Sequence, residues 1–344
     1  MKQKLSEIAN ITMGQSPLSS CYNSDGIGTP FLQGCTTFGR IYPSYDTWTT
    51  QFNKSANEND VLFTVRAPVG DVNLCQRFTA IGRGLASIHA TKVSQKYLFY
   101  LLEGNKSAFT SASSGTIYQS INKDKLCNVV LNVHDSSTQQ HIVDTIGSVD
   151  SLIEFNQEKI SKIKSLATQK YEFLYKAYPK SAIGKRLKFI KGKQPKFASK
   201  EDGLPYLVID DLASNIYTHF SSEGLACDEN DVLMVMDGAS SGKVFTGNKG
   251  YVGSTLAKLS SSQIKSSILY FGLSKFEEEI MKNTTGSAIP HTDKSFVCEL
   301  QIIDDLDGKT IDFFDFCLNQ ICNLRTQNSL LNIQKEILLQ KFFH

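Results

Sequence analysis

The 344-residue sequence lacks the patterns that mark several classes of protein. No apolar run reaches the roughly 18 residues that a membrane-spanning helix needs, so we expect no transmembrane segment. The first residues, MKQKLSEIANITMG, contain no apolar stretch of the kind found in signal peptides. The eight cysteines include no CxxC pair, which argues against a zinc site or a disulfide framework. These absences predict a cytoplasmic protein with reduced thiols.

Signatures of catalysis are missing as well. The six histidines form no HExxH pattern, and no GxSxG nucleophile elbow is present. The stretch GRGLAS (82–87) lacks the last glycine of a dinucleotide fingerprint, and no βαβ pattern surrounds it. Asp210 and Asp211 are adjacent, so in a strand they would point to opposite faces and could not serve one site. The sequence therefore predicts a protein that is not an enzyme.

The stretch GASSGKV (238–244) comes nearest to a phosphate-binding loop. It is one residue short of GxxxxGK[ST], and Val244 stands where a hydroxyl residue should bind magnesium. It also lies between two strand-like runs, VLMVM and KVFTG, which favours a hairpin loop. An enzyme that uses Lys243 on a phosphate substrate is the less favoured alternative, and Lys243→Ala would abolish its turnover.

Charge is unevenly distributed, although the formal net charge is only +2. Residues 159–200 contain 13 lysines and arginines and a single acid, Glu172. Residues 201–344 contain 11 basic and 20 acidic residues. The basic belt at 159–200 fits two interpretations that charge alone does not separate. It is either a solvated helix face with its linker or a surface that faces a polyanion.

The chain repeats itself at a fixed interval. The pentapeptide ENDVL occurs at 58–62 and again at 229–233, and we call the separation of these two copies the repeat interval. Further matches at the repeat interval are Gly82 with Gly253, Gly115 with Gly286, and Lys123 with Lys294. Upstream the interval drifts by a few residues, where MGQSP (13–17) resembles KGKQP (191–195). Several matches in one order predict a tandem duplication with loops of unequal length.

Each repeat is followed by a long heptad pattern. Apolar positions spaced alternately by four and three run from Ile142 to Leu174 and again from Cys317 to Phe342. We expect two long helices that pair with each other. If the first helix returns antiparallel to the second, the pair forms an antiparallel coiled coil. Asn156 and Asn328 occupy seam positions, where a buried asparagine fixes the register at a cost in stability. The alternative is that either asparagine lies at a solvated end.

The sequence thus predicts an α+β fold class, with a tandem duplication of two α+β domains joined by two long helices. The expected boundaries are 1–135 for the first domain and 136–179 for the first helix. The second domain is expected at 180–308 and the second helix at 309–344.

The run VLFTVRAPVGDVNL (61–74), followed by IGRGLASI (81–88), resembles a target recognition domain of type I restriction–modification specificity subunits. The duplicated order of domain and helix is similar to that whole family. The resemblance implies a non-catalytic subunit that reads a bipartite double-stranded DNA target, one half-site per domain, across a spacer set by the coiled coil. It implies adenine methyltransferase subunits and a restriction subunit as partners. It also implies that this chain holds no cofactor, while partner subunits hold S-adenosylmethionine and ATP with magnesium.

The resemblance implies that exposed loops read the bases, through basic, amide or acidic side chains. Arg66 and Arg83 have the alternative role of structural hydrogen bonds between strands, and Asp210 and Asp211 have that of turn formers. The candidate DNA-binding residues are Gln33, Thr36, Thr37, Arg40, Arg66, Arg83, Tyr118, Gln119, Ser120, Asp210, Asp211, Ser240, Lys243 and His291.

Two difficulties stay open at this point. The acidic balance of residues 201–344 suits a DNA reader only if the second domain has a local basic patch or if partner subunits supply most phosphate contacts. The modest net charge also suits a coiled-coil scaffold that binds proteins and has no DNA specificity.

Overall fold

The computed structural model describes residues 1–114, 119–214, 216–286, 288–303 and 305–344, without the side chains of Ala213 and Ser214. The chain divides into two compact units. Unit 1 comprises Met1–Asp150 and Gln334–His344, and unit 2 comprises Ser151–Ile333. Within the described ranges, no helix is both long and apolar enough to cross a membrane.

The domain part of unit 1 consists of short strands and short helices. Its strands are β1 (Lys2–Lys4), β2 (Ala9–Met13), β3 (Tyr22–Asn23), β4 (Thr29–Leu32), β5 (Trp48–Thr49), β6 (Ser55–Ala56), β7 (Val61–Thr64), β8 (Val72–Leu74), β9 (Thr79–Ile81), β10 (Leu85–Ala90) and β11 (Val130–Asn132). Its helices are α1 (Leu5–Ile8), α2 (Gln95–Gly104), α3 (Lys106–Ala112) and α4 (Lys123–Asn128), with a 3-10 turn at Ser19–Cys21.

Helix α5 (Ser136–Ala177) follows, and the domain part of unit 2 comes after it. The strands of unit 2 are β12 (Lys180–Ala182), β13 (Lys188–Lys191), β14 (Leu204–Leu207), β15 (Phe220–Ser221), β16 (Ala226–Cys227), β17 (Val232–Val235), β18 (Val244–Phe245), β19 (Gly250–Val252), β20 (Leu256–Ser260), β21 (Thr284–Thr285), β22 (His291–Thr292) and β23 (Gln301–Ile303). The helices are α6 (Ile209–Ser214), α7 (Ser266–Lys275), α8 (Glu277–Lys282), α9 (Lys294–Glu299) and α10 (Gly308–Phe343), with a 3-10 turn at Gly184–Arg186.

The two units share one strand topology. Unit 1 has an antiparallel sheet of order β2-β10-β7-β8, and unit 2 has the same sheet as β13-β20-β17-β18. The second sheet is β3-β5-β4-β9-β6 in unit 1 and β15-β14-β19-β16 in unit 2. In each unit this sheet contains one parallel pair, β4 with β9 and β14 with β19. Strands β1 and β11, like β12 and β23, form the outer antiparallel pair. This correspondence confirms the predicted tandem duplication.

The repeated ENDVL peptide performs the same task in both units. The Asp60 carboxylate accepts a hydrogen bond of 2.8 Å from the backbone N–H of Asn57, and Asp231 accepts one of 2.8 Å from Asp228. Each aspartate thereby closes the turn before a buried strand. Strands β7 and β17 then begin at the next residue, and every residue in both strands is buried. The sequence repeat is therefore a turn followed by the central strand of each first sheet.

One glycine in each unit is required for close backbone approach. A Cβ atom on Gly14 would lie 2.2 Å from the carbonyl oxygen of Gly82. A Cβ atom on Gly192 would lie 2.1 Å from the carbonyl oxygen of Val252. No side chain fits at such distances, so both positions hold glycine. This explains why MGQSP and KGKQP resemble each other.

Helices α5 and α10 pack antiparallel within each unit. In unit 1, Asp150 forms an ion pair with Lys335, and the rings of His141 and Phe342 are in contact. Each helix begins after a capping aspartate, because Asp135 accepts a hydrogen bond of 3.0 Å from the N–H of Thr138 and Asp307 accepts one of 3.0 Å from the N–H of Thr310.

The seam in unit 2 contains the two predicted asparagines. Asn156 Nδ2 donates to Asn328 Oδ1 at 2.9 Å, and both residues are buried. Asn328 also donates to the carbonyl oxygen of Ile153 at 3.4 Å. Further along, the rings of Tyr171 and Phe314 pack edge to face. Both asparagines therefore lie inside the helix pair and not at a solvated end.

Candidate nucleic-acid interface

Unit 1 carries an open cleft of about 540 Å³, which we call cleft 1. It lies beside the ends of β2 and β7 and contains four of the candidate DNA-binding residues. Its lining residues are Met13, Val65, Arg66, Ala67, Arg83, Gln119, Ser120, Ile121 and Asn122.

The backbone builds cleft 1 by joining two distant segments. The segment after β7 pairs with the segment before α4 through an isolated bridge between Arg66 and Ser120. The N–H of Ala67 donates to the carbonyl oxygen of Gln119 at 3.0 Å, and the N–H of Ile121 donates to that of Val65 at 2.9 Å. These bonds hold Arg66, Gln119 and Ser120 side by side.

Ser16 connects Gln33 to cleft 1. Ser16 Oγ donates to Gln33 Oε1 at 3.0 Å and accepts from the N–H of Arg83 at 3.1 Å. Gln33 follows β4, and Arg83 lies in the turn between β9 and β10; strands β4 and β9 form the parallel pair of the second sheet. The structure thus brings together Gln33, Arg66, Arg83, Gln119 and Ser120.

The side chains of Arg66 and Arg83 are exposed. In the described part of the chain, neither guanidinium group forms a hydrogen bond or an ion pair. Two exposed cations without an internal partner provide donors for an external acceptor. No inter-strand hydrogen bond from either side chain is present among the described residues.

The other candidates of unit 1 lie elsewhere. Thr36 is exposed and Thr37 partly exposed in the loop between β4 and β5. The middle of this loop is held by Asn73, which bonds the backbone of Gly39 through both its amide nitrogen and its oxygen. Arg40 forms an ion pair with Asp150 of α5, and only 14% of its side chain is exposed. Arg40 therefore anchors the loop to helix α5. Tyr118 lies outside the described residues.

Unit 2 has an equivalent group of residues, which we call cleft 2 after its counterpart in unit 1 and define by Lys191, Asp237, Ser254, Pro290 and His291. The last four lie one repeat interval after Arg66, Arg83, Gln119 and Ser120 of cleft 1. The isolated bridge between Asp237 and His291 repeats that between Arg66 and Ser120. Lys191 lies opposite Ala257 in its sheet as Met13 lies opposite Ala86.

Asp237 is the centre of cleft 2. Its Oδ2 atom lies 2.7 Å from Lys191 Nζ, and its Oδ1 atom lies 2.7 Å from His291 Nδ1. Partial burial acts to raise the pKa of Asp237, but the hydrogen bonds from Lys191 and His291 outweigh it and hold the pKa below its ordinary value. The group is therefore a carboxylate near neutral pH.

The remaining candidates of unit 2 are placed differently. Asp210 and Asp211 lie on helix α6 and not on a strand. Asp210 is exposed. Asp211 is 3% exposed and accepts a hydrogen bond of 3.2 Å from the hydroxyl of Thr218, and its burial raises its pKa. A helix turns 100° per residue, so one carboxylate faces solvent and the other the interior.

Ser240 and Lys243 lie in the loop between β17 and β18. These strands pair antiparallel, so the stretch GASSGK is a hairpin loop, as the strand-like flanks predicted. The N–H of Gly238 and the hydroxyl of Ser241 both donate to the carbonyl oxygen of Pro290, at 2.9 Å each. The loop therefore supports the residue that precedes His291 at cleft 2.

Sequence reasoning missed Lys191 and Asp237. The sequence contained the information needed to find Asp237, because Asp237 lies one repeat interval after Arg66. The basic belt at 159–200 belongs to unit 2, and its strand β13 supplies Lys191 to cleft 2. Across the described ranges, no group of three or more histidine, cysteine or acidic side chains is arranged to hold a metal ion.

Residues 1–165 match the family described as "Type I restriction modification DNA specificity domain". The match covers slightly less than half of the 344-residue chain. Cleft 1 and the loop from Gln33 to Arg40 lie within the matched residues.

Two relatives come from Methanocaldococcus jannaschii. The putative type I restriction enzyme MjaX specificity subunit is 38% identical over 156 residues, which cover 45% of this chain and 37% of the relative. The type I restriction enzyme MjaVIII specificity subunit is 31% identical over 175 residues, which cover 47% of this chain and 40% of the relative. The matched region thus spans less than half the length of either relative.

A solved structure resembles the whole chain. It is the S subunit of a type I restriction–modification system from M. genitalium, with 17% identity and a TM-score of 0.54. The similarity covers 100% of this chain and 96% of that chain. At this identity it shows a shared fold, and the shared fold extends over unit 2 as well as over the residues of unit 1 that match the family.

Proposed function

We propose that this chain is the non-catalytic DNA-recognition subunit of a type I restriction–modification complex. Each unit reads one half of a bipartite double-stranded target, and the antiparallel coiled coil sets the spacer. The observation that carries this proposal is the pair of equivalent clefts. They occupy the same place in one repeated topology, yet they present different side chains, which suits two readers of different half-sites.

The expected partners are adenine methyltransferase subunits and a restriction subunit, which would hold S-adenosylmethionine and ATP with magnesium. A surface on α5 supports a protein partner. Leu152, Phe155, Leu166 and Phe173 are each about half exposed or more, and they recur at heptad-like spacing on the part of α5 within unit 2. Exposed apolar side chains repeated along one helix suit a protein interface, since their burial is favourable by about 25 cal/mol per Å².

A methylome tests the proposal. The chain is expressed with the adenine methyltransferase encoded beside it, in a host without other DNA methylation, and modified adenines are mapped. We expect a gapped, two-part motif that disappears when this chain is omitted. Co-purification of the two proteins without any motif would contradict DNA recognition and favour the coiled-coil scaffold, which the exposed apolar side chains of α5 also suit.

The spacer role has a separate test. Ile153, Asn156 and Asn328 are buried in the helix pair but belong to neither of the two large cores. One heptad can be removed there from both helices in register, by deleting 153–159 together with 326–332. We expect a shorter spacer between unchanged half-sites. An unchanged spacer with retained methylation would contradict the role of the coiled coil as a ruler.

A further inference from the structure

Cleft 1 presents cationic donors to its surroundings, and cleft 2 presents a carboxylate acceptor beside the donors of Lys191 and His291. We propose, on the basis of the proposed function, that these clefts are the base-reading sites and that each cleft reads a different kind of group on a base. Arg66 and Arg83 of cleft 1 read acceptor atoms, as on a guanine. Asp237 of cleft 2 reads an exocyclic amino group, as on a cytosine or an adenine.

Cleft 1 offers cationic donors. An arginine guanidinium carries five N–H donors and no acceptor, and its planar fork matches the O6 and N7 acceptors of guanine. Arg66 and Arg83 line one cleft of about 540 Å³, with Gln119 and Ser120 beside them. Because both guanidinium groups are exposed and form no hydrogen bond or ion pair within the described residues, their donors are available to a base.

Cleft 2 offers an acceptor held in place. A carboxylate has about four lone-pair positions, and Asp237 uses one on each oxygen for Lys191 and His291. Two positions are left to accept from an amino group. The two fixed contacts set the orientation of the carboxylate, and the side chain of Asp237 is 22% exposed, so its free positions can be reached.

The charges around Asp237 are compatible with a position near DNA. A lone carboxylate would repel the phosphate backbone, but Lys191 offsets its charge at 2.7 Å. Lys191 ends strand β13, and its own side chain is half exposed. The pair therefore presents an acceptor without adding net negative charge to the surface.

The same backbone positions carry these different groups. Arg66 bridges Ser120 in unit 1, and Asp237 bridges His291 in unit 2. A position that keeps its backbone contacts while its side chain changes from a donor to an acceptor is suited to determine specificity. A role in phosphate binding would not call for a carboxylate in either copy.

The test uses the complex of this chain with its methyltransferase and a library of targets randomised at both half-sites. Arg66→Gln and Asp237→Asn are compared with wild type for methylation rate at every base of each half-site. Exposed residues outside the clefts supply matched controls, Arg77→Gln in unit 1 and Asp312→Asn in unit 2. Binding is measured at several salt concentrations.

We expect each cleft variant to lower discrimination at one or two positions of a single half-site by about 10- to 100-fold, as the loss of one base contact does. Arg66→Gln is expected to weaken preference for guanine, and Asp237→Asn preference for a base with an amino group. The controls are expected to leave both half-sites unchanged. Lys191→Gln should weaken binding across all sequences, because it removes a charge. It should lower discrimination at the base that Asp237 reads by less than Asp237→Asn does, because His291 still holds the carboxylate.

Two results would overturn the inference while the proposed function stands. One is a bipartite motif that neither cleft variant alters. The other is a uniform loss of affinity for all sequences with Arg66→Gln, together with a salt dependence lowered by about one phosphate contact. If wild type yields no bipartite motif, the proposed function itself fails, and the outcomes are thereby distinguished.

Discussion

Units 1 and 2 anchor their long helices with different chemistry on the same backbone. In unit 1 the contact is a group of charged and polar side chains, which we call the ionic cluster. It consists of Arg40, Tyr100, Glu103, Asp150 and Lys335. One repeat interval after Tyr100, Glu103 and Asp150, unit 2 holds Phe271, Ser274 and Ile321. The two units thus share one topology, while the contact with the long helices is ionic in unit 1 and uncharged at the matching positions of unit 2.

A lysine above an aromatic ring is common to both units. Lys335 Nζ lies 5.8 Å from the ring centroid of Phe99, and Lys164 Nζ lies 5.7 Å from that of Tyr270. The two lysines are separated by the repeat interval, and so are the two rings. What differs is the second contact, because only Lys335 also bonds carboxylates among the described residues, at 2.9 Å to Glu103 and 3.2 Å to Asp150.

The comparison explains why Arg40 is placed where it is. Asp150 is 2% exposed and forms ion pairs with Arg40 and Lys335. It also accepts a hydrogen bond of 2.9 Å from the hydroxyl of Tyr100. A buried carboxylate requires such compensation. The cluster therefore ties the end of the loop that contains Gln33 to helices α2, α5 and α10 within unit 1.

The largest difference between the units is expected for the two lysines. Lys335→Met leaves the buried Asp150 and the partly buried Glu103 without this cation, which costs about 3–5 kcal/mol of unfolding free energy. Lys164→Met at the matching position removes only a cation–π contact, worth about 0.5–1 kcal/mol. Urea denaturation followed by the fluorescence of Trp48, the single tryptophan, reports on unit 1. Circular dichroism over the same titration reports on both units. Equal costs for the two variants would contradict the contrast.

A smaller effect is expected at the asparagine pair of unit 2. Asn156→Leu leaves the Asn328 side chain buried with its acceptor unbonded, at a cost of about 1–3 kcal/mol. Adding Asn328→Leu should recover most of this loss while the helix pair loses its fixed register. The measurement is urea denaturation of both variants, with methylation spacer length as the readout of register. A double variant less stable than the single one would be the contrary result.

The smallest expected effect is a pH dependence specific to unit 1. Burial raises the pKa of Glu103 above its ordinary value of 4.5, although Lys335 acts against it. The folded state therefore binds the proton of Glu103 more tightly than the unfolded state does. The resulting contribution of Glu103 to stability is fully present below pH 4.5 and is lost as the pH rises through the raised pKa. Glu103→Gln should reduce that decline in unit 1 stability, read from Trp48 fluorescence as the pH is raised from the acid side to neutrality. An unchanged pH profile would show that Glu103 does not titrate in this window.

The duplication and the helix pair could be predicted because both rest on local patterns. ENDVL, Gly14 and Gly192 serve turns and close approaches that few residues can supply, so they persist in both copies. The heptad spacing likewise predicted two paired helices with Asn156 and Asn328 at seam positions.

The clefts could be predicted only in part. Arg66, Arg83, Gln119 and Ser120 come from segments distant in sequence, and isolated bridges and turns bring them together. No local pattern marked Asp237 as a site residue, and burial separates Asp211 from Asp210 only once helix α6 is formed. Arg40 looked like a loop cation because its partner, Asp150, lies 110 residues further along the chain.

The most direct test of the account is an exchange of one unit's reader. Residues 1–135 are replaced by the corresponding segment of a type I specificity subunit with a known target, and the methylome is determined with the same methyltransferase. We predict that one half-site changes while the other half-site and the spacer stay as they were. A change in both half-sites, or in neither, would contradict the claim that the two clefts read DNA independently.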